Sequence, residues 1–305
     1  MNSVLRRSLV VVLALGFIIF LVQRRANHRF FPRLNDDAPS ASKLESLLKD
    51  KEEDISKNPN DLKSLVDRGV VYYWMGPAHY ADALNSLNAA RKGGAFDERI
   101  FYYSGVLYEN ISLFEEAQKQ YERFLNHVPD DREIRLRLAR LLFRMGKWEE
   151  SIARYQALVE ENGKDFTSVI NCGLAYQKIS EGLQSKAAKP SPEDAAKIRE
   201  LEDQAIVYLE RATALGANLP DGVGFTLAKL YYRKKEWQKA AQAAEPEHQK
   251  GSNDAMLLEI LSVSYESMGQ NEKALEYYTK WSSAAPRNQT VKNKIKNLKK
   301  LLKIK

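Results

Sequence analysis

A small residue followed three positions later by an aromatic residue or leucine recurs along this chain. The pairs are Gly69/Tyr72, Gly105/Tyr108, Ala139/Leu142, Gly173/Tyr176, Ala228/Tyr231 and Ser262/Tyr265, and successive first members lie 36, 34, 34, 55 and 34 residues apart. Twelve residues beyond most of them comes a second small residue, at Ala117, Ser151, Ala240 and Ala274. Four further on a large residue follows at Tyr121, Tyr155 and Tyr278, with Ala244 breaking the rule. Prolines punctuate the same phase at Pro59, Pro129 and Pro286. A period in this range marks a supersecondary unit that cannot bury its apolar face alone, so neighbouring units have to stack.

The small residues fit where two helices cross closely, and Tyr, Leu and Trp fill the space between successive hairpins. Met145-Gly146-Lys147-Trp148 and Met268-Gly269-Gln270-Asn271 read as turns between the first and second helix of a unit. In these positions the chain resembles the tetratricopeptide repeat (TPR) family over residues 58–288. The resemblance implies an all-α fold, a right-handed α-solenoid of about six helix–turn–helix repeats. The repeats fall at 61–96, 97–130, 131–164, 165–219, 220–252 and 253–288.

Three departures stand out. The first repeat has extra residues in its turn, where Pro77 ends the first helix. The fourth is lengthened by an insertion at about 180–200, after which Ser191 reads as an N-cap with Pro192 at the first helical position. In the fifth, Ala243-Ala244-Glu245-Pro246 suggests a weak second helix that ends early.

The flanks read differently. Lys43 to Lys57 is an amphipathic helix suited to capping the first repeat, so residues 31–57 divide into a short linker and a cap. Residues 289–305 carry seven lysines, with Val291, Ile295, Leu298, Leu301 and Leu302 at helical spacing. A Lys-rich capping helix is one reading; a basic amphipathic helix touching anionic lipid or an acidic partner is the other. Residues 1–30 contain the apolar run Leu9 to Val22 between Arg6-Arg7 and Arg24-Arg25. As a helix that run spans roughly 21 Å, short of the ~30 Å hydrocarbon core, but flanking arginines can snorkel. With no small-x-small cleavage site close by, an uncleaved membrane anchor is expected ahead of a cleaved secretory signal. The expectation is therefore a single-pass protein, of a bacterial inner membrane. Charged start before apolar run favours a periplasmic body, while the arginines that follow the run leave a cytoplasmic-facing one open.

Charge and composition remove several function classes. The net charge of +7 belongs to the ends: residues 1–34 hold six arginines and no acid, and the 254 residues between the two basic ends hold 34 basic and 40 acidic groups. A nucleic-acid module carries its positive stripe on the folded domain, so no nucleic-acid partner is expected. One cysteine, Cys172, rules out an internal disulfide and a multi-cysteine metal site, and it reads as core beside Gly173. No phosphate loop, nucleophile elbow or metal-ligand spacing occurs, so neither enzymatic activity nor a cofactor is expected.

What the resemblance offers instead is a groove lined by the first helix of each repeat, where protein or peptide partners lie. The matching positions are Tyr73 and Trp74 in the first repeat and Tyr102, Tyr103 and Asn110 in the second. Arg137, Arg140 and Arg144 follow in the third, Asn171 and Lys178 in the fourth, Lys229 and Arg233 in the fifth. Each could equally be a solvated or packing residue of the array. Taken as a groove, they are aromatic at the start and cationic in the middle, which calls for a partner segment with acidic and aromatic residues. The clamp that grips a chaperone's C-terminal carboxylate is not matched: Asn171 fits, but Leu136, Arg140, Gly222 and Thr226 hold its other places. The function expected is a membrane-tethered scaffold or adaptor in assembly or chaperoning of an envelope complex. The alternative is an exported structural subunit acting through its convex face and long fourth hairpin.

Overall fold

The computed structural model describes residues 30–186, 190–216 and 219–304. Among them are fourteen α-helices, one 3₁₀ turn and no strand. The chain divides into two compact units, Met1–Ile134 and Arg135–Lys305.

The first unit contains α1 (Ala41–Lys57), α2 (Leu62–Trp74), α3 (Tyr80–Lys92), α4 (Glu98–Asn110), α5 (Phe114–His127) and the start of α6 (Arg132–Arg144). Helix α1 begins behind Ser40, whose side chain accepts from the Lys43 N–H, and packs on α2 through Leu44. Asp61 caps α2 in the same way, accepting from Ser64 N–H at 3.1 Å. The turn after α2 carries Gly76 in the left-handed region and Pro77 at the head of the 3₁₀ turn Pro77–His79. Helices α2/α3 and α4/α5 form hairpins whose crossing points explain the small residues. A Cβ at Gly69 would lie 2.7 Å from Leu87 Cγ, and one at Gly105 would lie 2.5 Å from the ring of Tyr121. Ala83 and Ala117 are fully buried opposite them.

The second unit continues with α7 (Trp148–Glu161), α8 (Phe166–Ser185), α9 (Pro192–Ala214), α10 (Val223–Arg233), α11 (Trp237–Gln249), α12 (Ala255–Ser267), α13 (Asn271–Ala284) and α14 (Gln289–Leu302). The same device recurs: Ser151 Oγ donates to Ala139 O at 2.8 Å, and a Cβ at Gly173 would meet Leu209 Cγ at 2.7 Å. Helix ends follow one scheme. The Lys147 N–H reaches back to Leu142 O at 2.9 Å and Gln270 N–H to Tyr265 O at 2.9 Å, around Gly146 and Gly269 at φ 75° and 74°. These are Schellman closures, which need a left-handed residue just past the helix. Ser112 and Lys235 fill that place in α4/α5 and α10/α11 with φ 61°, against the steric preference of L-residues.

Helices α8 and α9, of 20 and 23 residues, make the long hairpin, and Ser191 caps α9 by accepting from Asp194 N–H at 3.0 Å. In the fifth repeat the structure departs from the sequence-based expectation. Helix α11 runs through Pro246 to Gln249. Proline in the last turn forfeits one backbone bond, but its carbonyl still accepts from Lys250 N–H at 3.1 Å. Buried Ala240, Ala241 and Ala244 hold the helix against its neighbours. Helix α14 lays Val291 and Leu298 against the array, while Leu301 and Ile304 stay exposed.

The expectation of a single-pass membrane protein has to be corrected. Among the described residues no helix is long and apolar enough to cross a membrane. The apolar run Leu9 to Val22, on which that expectation rested, lies outside the described residues.

Candidate protein-binding groove

In the first unit the residues expected on the groove, apart from Asn110, form one aromatic wall. Tyr73 and Tyr103 have ring centroids 5.1 Å apart, Tyr73 and Trp74 5.5 Å, and Tyr102 and Tyr103 5.0 Å. Trp74 Nε1 donates to the Tyr103 hydroxyl at 3.3 Å. Asn110 sits at the far end of α4, donating to the Tyr80 hydroxyl at 3.2 Å.

The wall is not bare. Residues 30–34, of which the sequence alone marks 31–34 as linker and Phe30 as the end of the anchor segment, lie across it as a ligand would. Phe31 meets Tyr102 edge-on at 5.2 Å and Tyr103 at 5.9 Å. The Arg33 guanidinium lies 4.4 Å from the Tyr102 ring centroid and ion-pairs with Asp131 at 2.6 Å and Glu133 at 3.2 Å. Backbone groups are held as well. Arg99 Nη1 donates to Phe30 O at 2.7 Å, the Tyr103 hydroxyl donates to Pro32 O, and Leu34 N–H donates to the Tyr102 hydroxyl at 3.0 Å. The Tyr102 hydroxyl passes its own proton toward Glu133 at 2.8 Å. Burial, the largest influence, raises the phenol pKa of both Tyr102 and Tyr103 above the ordinary tyrosine value, so each remains a neutral donor.

Beneath the wall is a buried ion cluster. Arg99 has no exposed surface. Its guanidinium binds Asp97 through two nitrogens, at 3.0 and 2.8 Å, and Asp67 at 2.6 Å. Burial opposes its charge, but the bonds to Asp97 and Asp67 outweigh that and raise its pKa. Phe31, Arg33, Arg99, Asp131 and Glu133 escaped the sequence reading. The one available signal was an aromatic-proline-arginine run in an otherwise polar stretch.

The second unit places the remaining candidates on two faces. Arg137, Arg140 and Arg144 follow one another along α6, with Arg140 and Arg144 exposed and Arg137 half-buried. Lys178, Lys229 and Arg233 come together from α8 and α10 around two carboxylates. Lys178 reaches Glu181 at 2.9 Å, Lys229 reaches Glu181 at 3.7 Å, and Arg233 pairs with the buried Glu202 at 3.0 Å. Gln184 bridges the set, donating to Glu202 at 2.8 Å and accepting from Arg233 at 3.1 Å. Asn171 turns back on its own helix, donating to Thr167 O at 2.8 Å. Cys172 is buried, and its thiol is pushed up to about 12 by that burial, too high for a thiolate nucleophile.

Paired helices, small residues at every crossing and Schellman closures at a common phase define a helical repeat array. Residues 113–169 match the tetratricopeptide repeat family, and the described chain has a TPR-like solenoid fold. Among curated proteins it is similar to the BBSome complex member BBS4 homolog of Drosophila melanogaster, 25% identical over 178 residues, which is 58% of this chain and 34% of that protein. The match thus takes in about a third of that relative. Among solved structures it is similar to a chain of the structure of Naa15/Naa10 bound to HypK-THB, at TM-score 0.50 and 14% identity, covering 85% of this chain and 39% of that one. It is also similar to Pseudomonas aeruginosa pilF, at TM-score 0.49 and 15% identity, covering 78% and 96%. At these identities the likeness is one of fold.

Proposed function

We propose that this chain is a non-enzymatic scaffold that holds segments of partner proteins against the first-helix faces of its repeats. The observation that supports it most is the seated stretch 30–34. Three side chains of α4, Arg99, Tyr102 and Tyr103, bind backbone groups of a short non-helical segment, which is how a groove grips a peptide irrespective of its sequence. Ring and guanidinium contacts then add selectivity. TPR proteins bind protein or peptide partners, so the match at residues 113–169 supports the same reading.

The two units differ in the chemistry they offer. In the first, Asp131 and Glu133 face the seat and suit an aromatic segment with a cation. In the second, Arg137, Arg140 and Arg144 are proposed to take the acidic part of a partner. A photoreactive residue at position 140 of the full chain, with capture in native cells read by mass spectrometry, tests this. The expected result is one dominant partner, lost when Arg137 and Arg144 become glutamate. Capture that is unchanged by the reversal, or equal from a probe at Lys197 on the long hairpin, would refute it.

A further inference from the structure

The stretch 30–34 meets its groove as an occupant and not as part of the core. Each of its residues is only half-buried. The groups that hold it are already fixed by the array: Tyr103 by Trp74, Tyr102 by Glu133, Arg99 by Asp67 and Asp97. The seat is therefore preformed, and departure of the segment leaves Arg99 and Tyr102 with polar partners. The connection that follows is local. Asp36 closes a turn onto Arg33, its carboxylate accepting from Arg33 N–H at 2.6 Å and its own N–H donating to Arg33 O at 2.9 Å. Helix α1 then starts behind Ser40 with its own cap. The seat also has a defined chemistry. A ring fits against Tyr102 and Tyr103, and two residues later a guanidinium fits between the Tyr102 face and the carboxylates of Asp131 and Glu133.

We infer that this seat takes, from another protein, a short non-helical segment with an aromatic residue two positions before an arginine, and that residues 30–34 are the chain's internal competitor for it. The inference rests on the scaffold reading but concerns the first unit alone. An acidic segment would meet like charge from Asp131 and Glu133 and be excluded. A planar guanidinium is required because it both stacks on Tyr102 and reaches two carboxylates, which a lysine ammonium cannot do in one pose.

The test uses the full-length chain and a fluorescein-labelled peptide with the sequence of residues 30–36, read by anisotropy. Phe31→Ala combined with Arg33→Ala removes the ring and guanidinium contacts of the internal segment and frees the seat to the extent that those contacts hold it. That variant should bind the peptide about tenfold or more tightly than the unaltered chain does, because its competitor is weakened. A peptide with glutamate in place of its arginine should not bind. Asp131→Asn in the doubly substituted chain keeps the cap that this side chain gives Ile134 N–H at 2.9 Å, yet should weaken binding about tenfold by removing the charge. Equal affinity for both chains would overturn the competition, and binding to neither would overturn the site. A doubly substituted chain that loses its helical circular dichroism would show the segment to be structural; Arg33→Ala alone is the milder second test. Dimers of the unaltered chain that vanish in Arg33→Ala would assign the seat to a second copy's segment, overturning the partner proposed. Crosslinking from position 140 is independent of all these results, so the scaffold reading can fail or stand separately.

Discussion

Arg99→Met is the substitution whose effect on the first unit follows most directly from the geometry. The guanidinium is wholly buried and binds two carboxylates that are themselves nearly buried, at 12% exposure for Asp97 and 11% for Asp67. Methionine fills a similar volume but takes the guanidinium from both carboxylates, leaving Asp97 the bond from the residue-99 N–H at 3.0 Å, and removes the donor to the Phe30 carbonyl. Removing one partner of a buried pair costs about 3–5 kcal/mol, and the slight solvent access of the two carboxylates argues for the lower end, about 3 kcal/mol. With a urea dependence of about 2 kcal/mol/M, the midpoint should fall by about 1.5 M. Trp74 reports on this unit, so fluorescence is followed in a background where Trp148, Trp237 and Trp281 are phenylalanine. Arg99→Lys keeps the charge but not the fork, and should lose less than methionine does. Adding Asp67→Asn to Arg99→Met should recover part of the deficit, because one uncompensated charge is removed. A loss below about 1 kcal/mol for Arg99→Met, with no recovery from the second change, would refute the argument that this cluster holds α2 and α4 together.

Two glycines in helices should respond with opposite sign. Gly105→Ala puts a Cβ 2.5 Å from the Tyr121 ring and should destabilise by about 1–3 kcal/mol despite its better helix propensity. Gly182→Ala meets Trp148 at 3.4 Å, an ordinary contact, and should stabilise by about 0.5–1 kcal/mol; thermal denaturation of both variants distinguishes the cases. Asp61→Ala removes the cap of α2 and should cost about 1 kcal/mol at neutral pH. The Ser64 N–H holds the Asp61 carboxyl below the usual carboxylate range. Its contribution is therefore present above the ordinary aspartate value and is lost as pH falls through the lower folded one. Urea titrations should accordingly show the gap between Asp61→Ala and the parent closing below about pH 4.

The fold was legible because its constraints are local and repeated. A glycine at 69, 105 or 173 leaves a mark at repeat spacing, 36 and then twice 34 residues, because a side chain there would strike the opposite helix. The cap at Ser191 was legible for the same kind of reason, one side chain satisfying one amide. Pro246 is a misleading stop signal because a proline in a last turn forfeits one N–H bond while its carbonyl still accepts, so α11 runs on to Gln249. The aromatic wall could be read, since Tyr73, Trp74, Tyr102 and Tyr103 sit at first-helix positions. Its occupant could not. Arg33 meets Asp131 and Glu133 across about a hundred positions of sequence, and a five-residue irregular segment carries no periodicity. Nor does spacing reveal that Glu181 and Glu202 gather Lys178, Lys229 and Arg233, because those contacts join three helices.

The six residues between the seated segment and α1 have a consequence for how the groove discriminates by amount. A ligand held on so short a leash experiences a local concentration of roughly millimolar, whatever the concentration of the protein itself. If the free segment had an intrinsic Kd of ~100 µM, the tether would keep the groove filled about nine-tenths of the time. A visitor of equal chemistry would then bind about tenfold more weakly than its intrinsic affinity, and one met only in passing would leave the equilibrium unmoved. The groove would thus act as a threshold on supply. It would open to partners that are abundant, clustered, or anchored to the array by a second contact, and pass over the same motif scattered at low concentration.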